Sequence, residues 1–212
     1  MNRGQAHTLE GVVAGLVLLS GLVFALQATA VTPLSASTSS QHLENQQQAS
    51  AEGVLATAAK HRVLKPAVLF WNGKGSDPAN EFYDADNGEF YTSKTPPNEF
   101  GDLLSQAFGG RGLTFNVYVA YRRQSDGRQV RQRMIYRGEP SDNAVTASRL
   151  VTLYNTDELY ADTDNDDIAE PTGTTISKSN FYAPDVVDES DNGGPDLAIY
   201  NIIEVEVVVW RI

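Results

Sequence analysis

The sequence predicts an α+β protein: an N-terminal transmembrane helix and helical extension, followed by an antiparallel β-sheet domain. Three observations carry this. Gly11 to Ala30 is a run of twenty residues without a charge, about the length a helix needs to cross a ~30 Å bilayer core. Gln41 to Leu64 is rich in Ala, Gln and Glu, residues that lose little on entering a helix. From Val68 onward, β-branched and aromatic residues alternate with polar ones between Asn-Gly, Gly-Gly and Asp-Gly pairs. The expected organisation is therefore 1–34 as signal or transmembrane helix, 35–65 as helical extension, and 66–212 as an extracellular β-rich domain with a long acidic loop at 155–196.

The apolar run is preceded by Arg3, and no Lys or Arg follows until Lys60. The positive-inside tendency then places the N-terminus in the cytoplasm and the C-terminal domain outside, with a single crossing of the cell membrane. A cleaved secretory signal is the competing reading, because Ala28-Thr29-Ala30 fits the small-x-small pattern of a cleavage site. Against it, Glu10 abuts the apolar run, where a secretory n-region carries net positive charge. Gly11, Ala14, Gly15, Gly21 and Ala25 allow close helix packing in a membrane or filament.

Pro33 is expected to break or kink this helix. A second helix follows, with Ala51, Leu55, Ala58 and Arg62 on one face, and it is expected to end before Lys65-Pro66. Val68 to Trp71 reads as a strand closed by an Asn72-Gly73 turn, and residues 81–91 as a hairpin closing on Asn87-Gly88. Asn98 is placed to cap a helix running to Ala107, with Leu103, Leu104 and Phe108 inward and Gly109-Gly110 as its stop. Leu113 to Arg122 and Val130 to Arg137 form an antiparallel hairpin across residues 125–128, with Phe115, Val117, Val119 and Tyr121 on the buried face. Ala147 to Tyr154 supplies a third strand and Leu197 to Ile212 a fourth. In the last, Ile203, Val205, Val207 and Val209 mark the core face, and so apolar a strand belongs in the middle of its sheet.

Composition excludes several functions. The chain has 212 residues, 16 basic against 27 acidic, a formal net charge of -11 and no cysteine. Nucleic-acid binding requires a cationic footprint that this balance does not provide. It suits solubility in concentrated salt, where repulsion among carboxylates is screened, and is the composition expected of an extreme-halophile source. Disulfides and thiolate metal sites are unavailable. His7, His42 and His61 are the three histidines, so the part after Pro66 contains neither Ser-His-Asp nor Cys-His machinery, nor a His-based zinc site. Carboxylate pairs among so many acids are expected to be solvated surface, and the chain is read as a non-enzyme.

Two charge features stand out. Asp162, Asp164, Asp166 and Glu170 lie at alternating spacing that can converge on Ca²⁺ or Mg²⁺, a solvated acidic loop being the alternative. The segment departs from the EF-hand pattern, with Asp167 where a glycine makes the turn and Gly173 where a bidentate glutamate belongs. Residues 111–149 hold eight arginines against three acids, whereas 157–196 hold twelve acids and one lysine. Such patches can steer subunits together or simply remain solvated.

Arg3-Gly4, a short polar stretch, an acidic residue and an uninterrupted apolar helix together resemble the class III signal of type IV pilins and pseudopilins. Arg3 to Gln27, the acidic balance and the lack of cysteine are similar to the pilin-like membrane proteins of haloarchaea, many without an assigned function. The resemblance implies cleavage by a prepilin peptidase after Gly4, Gln5 as the new terminus, and other pilin-like subunits as partners. It also implies a glutamate at the fifth mature position that neutralises a neighbouring subunit's terminal amine. Here that position is Leu9, and the acid, Glu10, comes one residue later, which turns it about 100° around the helix.

These readings leave three fates for the N-terminal segment: cut after Gly4, cut after Ala30, or left whole. The expected role is a membrane-anchored, pilin-like surface protein with a structural or assembly role. The alternative is a non-polymerising, membrane-tethered extracellular domain whose acidic loop contacts an ion, glycan or protein.

Overall fold

The computed structural model describes residues 3–72, 81–123, 126–179, 181–184 and 199–211, apart from the side chains of residues 3–6 and 28–40. Three helices come first: α1 (Arg3–Lys60), α2 (Leu64–Val68) and α3 (Glu99–Phe108). The strands are β1 (Leu113–Arg122), β2 (Gln129–Ile135), β3 (Val145–Tyr154), β4 (Glu158–Ala161), β5 (Glu170–Thr175) and β6 (Ile199–Arg211). Contacts divide the chain into Met1–Asn45 and Gln46–Ile212. The α+β class, with an apolar N-terminal helix ahead of an antiparallel sheet domain, is what the sequence predicts.

In the first unit, His7–Gln27 has a mean hydropathy of 2.2, long and apolar enough to cross a membrane by length and composition. Helix α1 runs through Pro33 without a break. One missing amide removes a single rung, and the neighbouring i→i−4 bonds suffice to carry the helix past it. The expected second helix is therefore the continuation of the first.

In the second unit, the end of α1 buries Ala51, Val54, Leu55 and Ala58, a stripe at helical spacing. Arg62, expected on that stripe, is exposed because it lies past the helix end at φ 61°. In that left-handed conformation Arg62 N–H donates to Ala59 O (3.1 Å) and Val63 N–H to Ala58 O (3.0 Å). This double bond pattern closes a helix without a proline, so α1 stops at Lys60. Pro66 sits inside α2, in its first turn, where the amide it lacks would have had no helical partner.

The main sheet has the order β2-β1-β6-β3 and is antiparallel throughout. The C-terminal strand is central, as its composition requires. Ile203, Val205, Val207 and Val209 are fully buried, together with Phe115, Val117 and Val119 on β1. Helix α3 packs against this face through Phe108 on Phe115, ring centroids 5.3 Å apart. Its cap is the expected one, Asn98 Oδ1 accepting from Gly101 N–H at 3.0 Å. Phe100 and Leu104 point fully into the core, and Leu103 is half-buried.

Three expectations change. Val68 ends a helix, and Phe70 and Trp71 make single bridges to Tyr160 and Phe82 instead of forming a strand. Gly73 of the expected turn, and the start of the segment taken as a fourth strand at 197–198, lie outside the described residues. The turn at Asn87-Gly88 is present, with Asn87 Oδ1 accepting from Glu89 N–H and Phe90 N–H, and Gly88 at φ 83°. Its flanks do not pair as two strands, because Phe82 bridges to Trp71 while Tyr91 bridges to Ile135. The acidic loop contains structure of its own: β4 and β5 form a second, two-stranded sheet, and residues 180 and 185–196 of it lie outside the described residues.

Candidate functional site

Two short bridges assemble the most conspicuous site. Phe70↔Tyr160 and Trp71↔Phe82 bring three stretches remote in sequence to one place: residues 70–72, 81–85 and 160–167. Between them, with Pro97, lies an open cavity of about 540 Å³. Its walls carry four carboxylates, Glu81, Asp84, Asp162 and Asp167, together with Asn72, Tyr83 and Asn165.

Backbone geometry shapes this wall. Asp84 (φ 55°), Asn165 (φ 61°) and Asp167 (φ 63°) all adopt the left-handed conformation and all line the cavity. Asp and Asn enter that region at lower cost than other side chains, because their short polar groups bond locally. Asp162 is the buried anchor, 5% exposed, its carboxylate accepting from Asp166 N–H (3.1 Å) and Asp167 N–H (3.3 Å). Tyr83 Oη donates to its carbonyl at 2.8 Å, tying the 81–85 stretch to the loop.

Of the predicted metal ligands, Asp162, Asp164 and Asp166 converge, with one carboxylate oxygen from each lying within 4.8 Å of the others. Glu170 is not in that group. It opens β5 opposite Ala161 and accepts from Thr163 Oγ1. The Asp164 pKa is raised from its ordinary value, by desolvation first and then by the charges of Asp166, Glu170 and Asp162. Among the described residues no Lys, Arg or His lies within 4.0 Å of any of these four. The arrangement offers hard oxygen ligands and a negative field, which are suited to a cation.

Sequence spacing found Asp162, Asp164 and Asp166, of which Asp162 lines the cavity, but missed Glu81, Asp84 and Asp167 in its walls. Glu81 and Asp84 are about eighty residues from the loop, and tertiary contacts bring them close, the Phe70 and Trp71 bridges together with the Tyr83 hydrogen bond to Asp162. A run of aromatic residues at 70–71 and 82–83 was the available signal, but the expected hairpin pairing accounted for it otherwise.

At the other end of the chain, α1 starts at Arg3, so Gly4 and Gln5 lie in its first turn, with side chains outside the described residues. Glu10 Oε2 lies 3.7 Å from His7 Nδ1, one turn earlier, both side chains being more than 80% exposed. The lone carboxylate beside the apolar run thus has a neighbour on its own helix.

No curated protein and no solved structure matches this chain. One family does match, a family of unknown function (DUF7288), over residues 3–209, a span that takes in the apolar helix as well as the sheet. The chain belongs to that family of unknown function.

Proposed function

We propose that this is a single-pass, pilin-like membrane protein of the haloarchaeal type, its sheet domain held outside the cell in a structural or assembly role, as a minor pilin or pseudopilin-like component. The observation that carries the reading is the helix His7–Gln27, none of which is buried. Leu16, Leu18, Leu22 and Phe24 are each at least 60% exposed. At roughly 25 cal/mol per Å² of apolar surface, such a helix gains several kcal/mol by entering a bilayer or a bundle of like helices. Gly11 and Gly15, four residues apart, have nothing within 4 Å of where a Cβ would stand, leaving room for a neighbouring helix to approach. A prepilin peptidase cutting between Gly4 and Gln5 would leave Glu10 about a turn and a half from the new terminus, and other pilin-like subunits are the natural partners. Cell fractionation tests the placement. The chain is expected to stay with membranes after a high-salt wash, and its sheet domain to be digested by protease added outside intact cells. Recovery in the soluble medium overturns the reading.

The acidic cavity and the Asp162, Asp164 and Asp166 group that shares Asp162 with it favour a second reading, a tethered domain that does not polymerise and contacts an ion, glycan or protein. Thermal melting at low ionic strength with and without millimolar Ca²⁺ or Mg²⁺ tests its ion-binding form. A bound ion raises the midpoint by mass action, and the rise is expected to vanish in Asp164→Asn with Asp166→Asn. An unchanged midpoint in the unmodified chain removes the ion.

A further inference from the structure

The buried face of the four-stranded sheet runs out at one rim. Along β1, Phe115, Val117 and Val119 are buried, and the same row continues into half-buried Tyr121 and, past the strand end, exposed Arg123. Across from Val119 stands Gln132 of β2, a half-buried amide in a row of otherwise apolar groups. Tyr121, Arg123 and Gln132 line a cavity of about 480 Å³, closed on its other sides by Trp71, Phe181, Tyr182 and Pro184. Its size falls within the ~300–1,000 Å³ of small-molecule sites, and aromatic walls with a few convergent polar groups are what such sites present.

The aromatic wall is fixed from behind. Tyr182 packs against Trp71 and Phe181, ring centroids 4.7 and 4.6 Å away, and its hydroxyl donates to Val68 O at 3.1 Å. Asn201 on β6, 5% exposed, donates from Nδ2 to Pro184 O (3.0 Å) and to Arg122 O (3.3 Å), which fastens residues 181–184 to the end of β1. A ligand entering here meets a wall already ordered by the fold.

The polar groups, by contrast, are open to a partner. Among the described residues neither the Tyr121 hydroxyl nor the Gln132 amide makes a side-chain hydrogen bond. Arg123 has one ion pair among them, a long one, Nε to Asp126 Oδ1 at 3.4 Å, which leaves most of its five N–H donors. No carboxylate lines this cavity, although the chain carries a net charge of -11 and the acidic cavity holds four. A cation therefore finds no anionic ligand here, and a purely apolar molecule would leave the amide, the hydroxyl and the guanidinium unpaired. A pyranose ring bearing a carboxylate satisfies all three: its C–H face lies on the open part of the Tyr121 ring, its hydroxyls meet Gln132 and Tyr121 Oη, and its carboxylate meets the guanidinium fork. An extended peptide is served by backbone amides along a sheet edge, whereas this cavity offers side chains.

We propose that this rim cavity binds an acidic saccharide, Arg123 reading the carboxylate and Gln132 with Tyr121 reading the hydroxyls. It shares no lining residue with the acidic cavity and is independent of how the N-terminal segment is processed. Trp71 in the wall is a native reporter, and the other tryptophan, Trp210, lies in a separate cluster with Tyr118 and Val208. The full-length chain, in a detergent without a sugar headgroup and at low ionic strength, is titrated with D-glucuronate and with D-galacturonate, by tryptophan emission and by calorimetry. Saturable binding of at least one uronate is expected, with the emission change retained in Trp210→Phe. D-Glucose, D-galactose and N-acetylglycine are expected to bind at least tenfold more weakly. Arg123→Gln and Gln132→Met are each expected to lower the uronate affinity about tenfold while the melting curve is kept. The proposal is overturned if neither uronate binds saturably by either readout. It is equally overturned if N-acetylglycine binds as well as the uronates, which leaves a bare carboxylate site, if the neutral sugars do, or if binding is indifferent to Arg123→Gln and Gln132→Met.

Discussion

Lys65 Nζ lies 2.6 Å from Asp157 Oδ2, joining α2 to the turn that opens the acidic loop, 92 residues away. The same carboxylate oxygen accepts from Tyr154 N–H at 2.8 Å, and the ammonium sits 4.8 Å from the Tyr154 ring. Both side chains are largely shielded, Lys65 being 32% and Asp157 19% exposed. Asp157→Ala strips the ammonium and the Tyr154 amide of their acceptor at once. It is expected to cost about 1–3 kcal/mol in chemical denaturation, more than an exposed pair gives.

Gly101 inverts a usual rule. Replacing a helix-interior glycine by alanine ordinarily stabilises by about 1 kcal/mol. Here the added Cβ would meet the Pro96 carbonyl oxygen at 1.9 Å, a backbone atom with no rotamer to yield. Gly101→Ala is expected to destabilise by about 1–3 kcal/mol or more, as overpacked sites do, whereas Gly53→Ala on α1, with nothing within 4 Å, is expected to be neutral or stabilising. Comparing the two melting temperatures checks it.

Asp86 makes stability depend on acid. Burial pulls its pKa up, but hydrogen bonds from the Thr92 hydroxyl and from the Ser93 and Thr92 amides outweigh that, holding it well below the usual carboxylate range. A folded-state pKa below the unfolded one means that the unfolded chain takes up the proton first as pH falls. The contribution is whole above about pH 4 and is lost as pH descends toward the folded value. Asp86→Asn is expected to lower the melting temperature at pH 7 and to narrow the difference between variant and parent at pH 3.

Asn116 is fully buried in β1 with its amide and carbonyl both engaged. Asn116→Leu leaves Gly138 O and Arg137 N–H without these partners, and is expected to cost about 1–3 kcal/mol. Its second signature is faster amide exchange confined to residues 136–144, the connection it ties down.

Periodicity made the sheet legible. The alternating valines of 203–209 and the aromatic-aliphatic row of β1 state a face, a partner and, by their apolarity, a central place, and local chemistry fixes the cap at Asn98 as well. The connections were harder to read. Arg62 ends α1 by adopting a left-handed backbone that glycine usually supplies, a choice no spacing rule announces. Pro33 reads as a break or kink and Pro66 as a residue that follows a helix end, yet Pro33 lies where a single lost bond is tolerated and Pro66 where no bond is needed. The acidic cavity is half visible: alternation brings out Asp162, which lines it, and Asp164 and Asp166, which group with Asp162, but Glu81 and Asp84 join Asp162 through tertiary contacts that no spacing announces.

Intact-mass spectrometry of the chain recovered from its own cells, membranes and medium together, tests the fate of Arg3 to Ala30 most directly. A mature N-terminus at Gln5 is the predicted result. A terminus at Val31 would contradict it, since the anchor would then have been discarded and the sheet domain released.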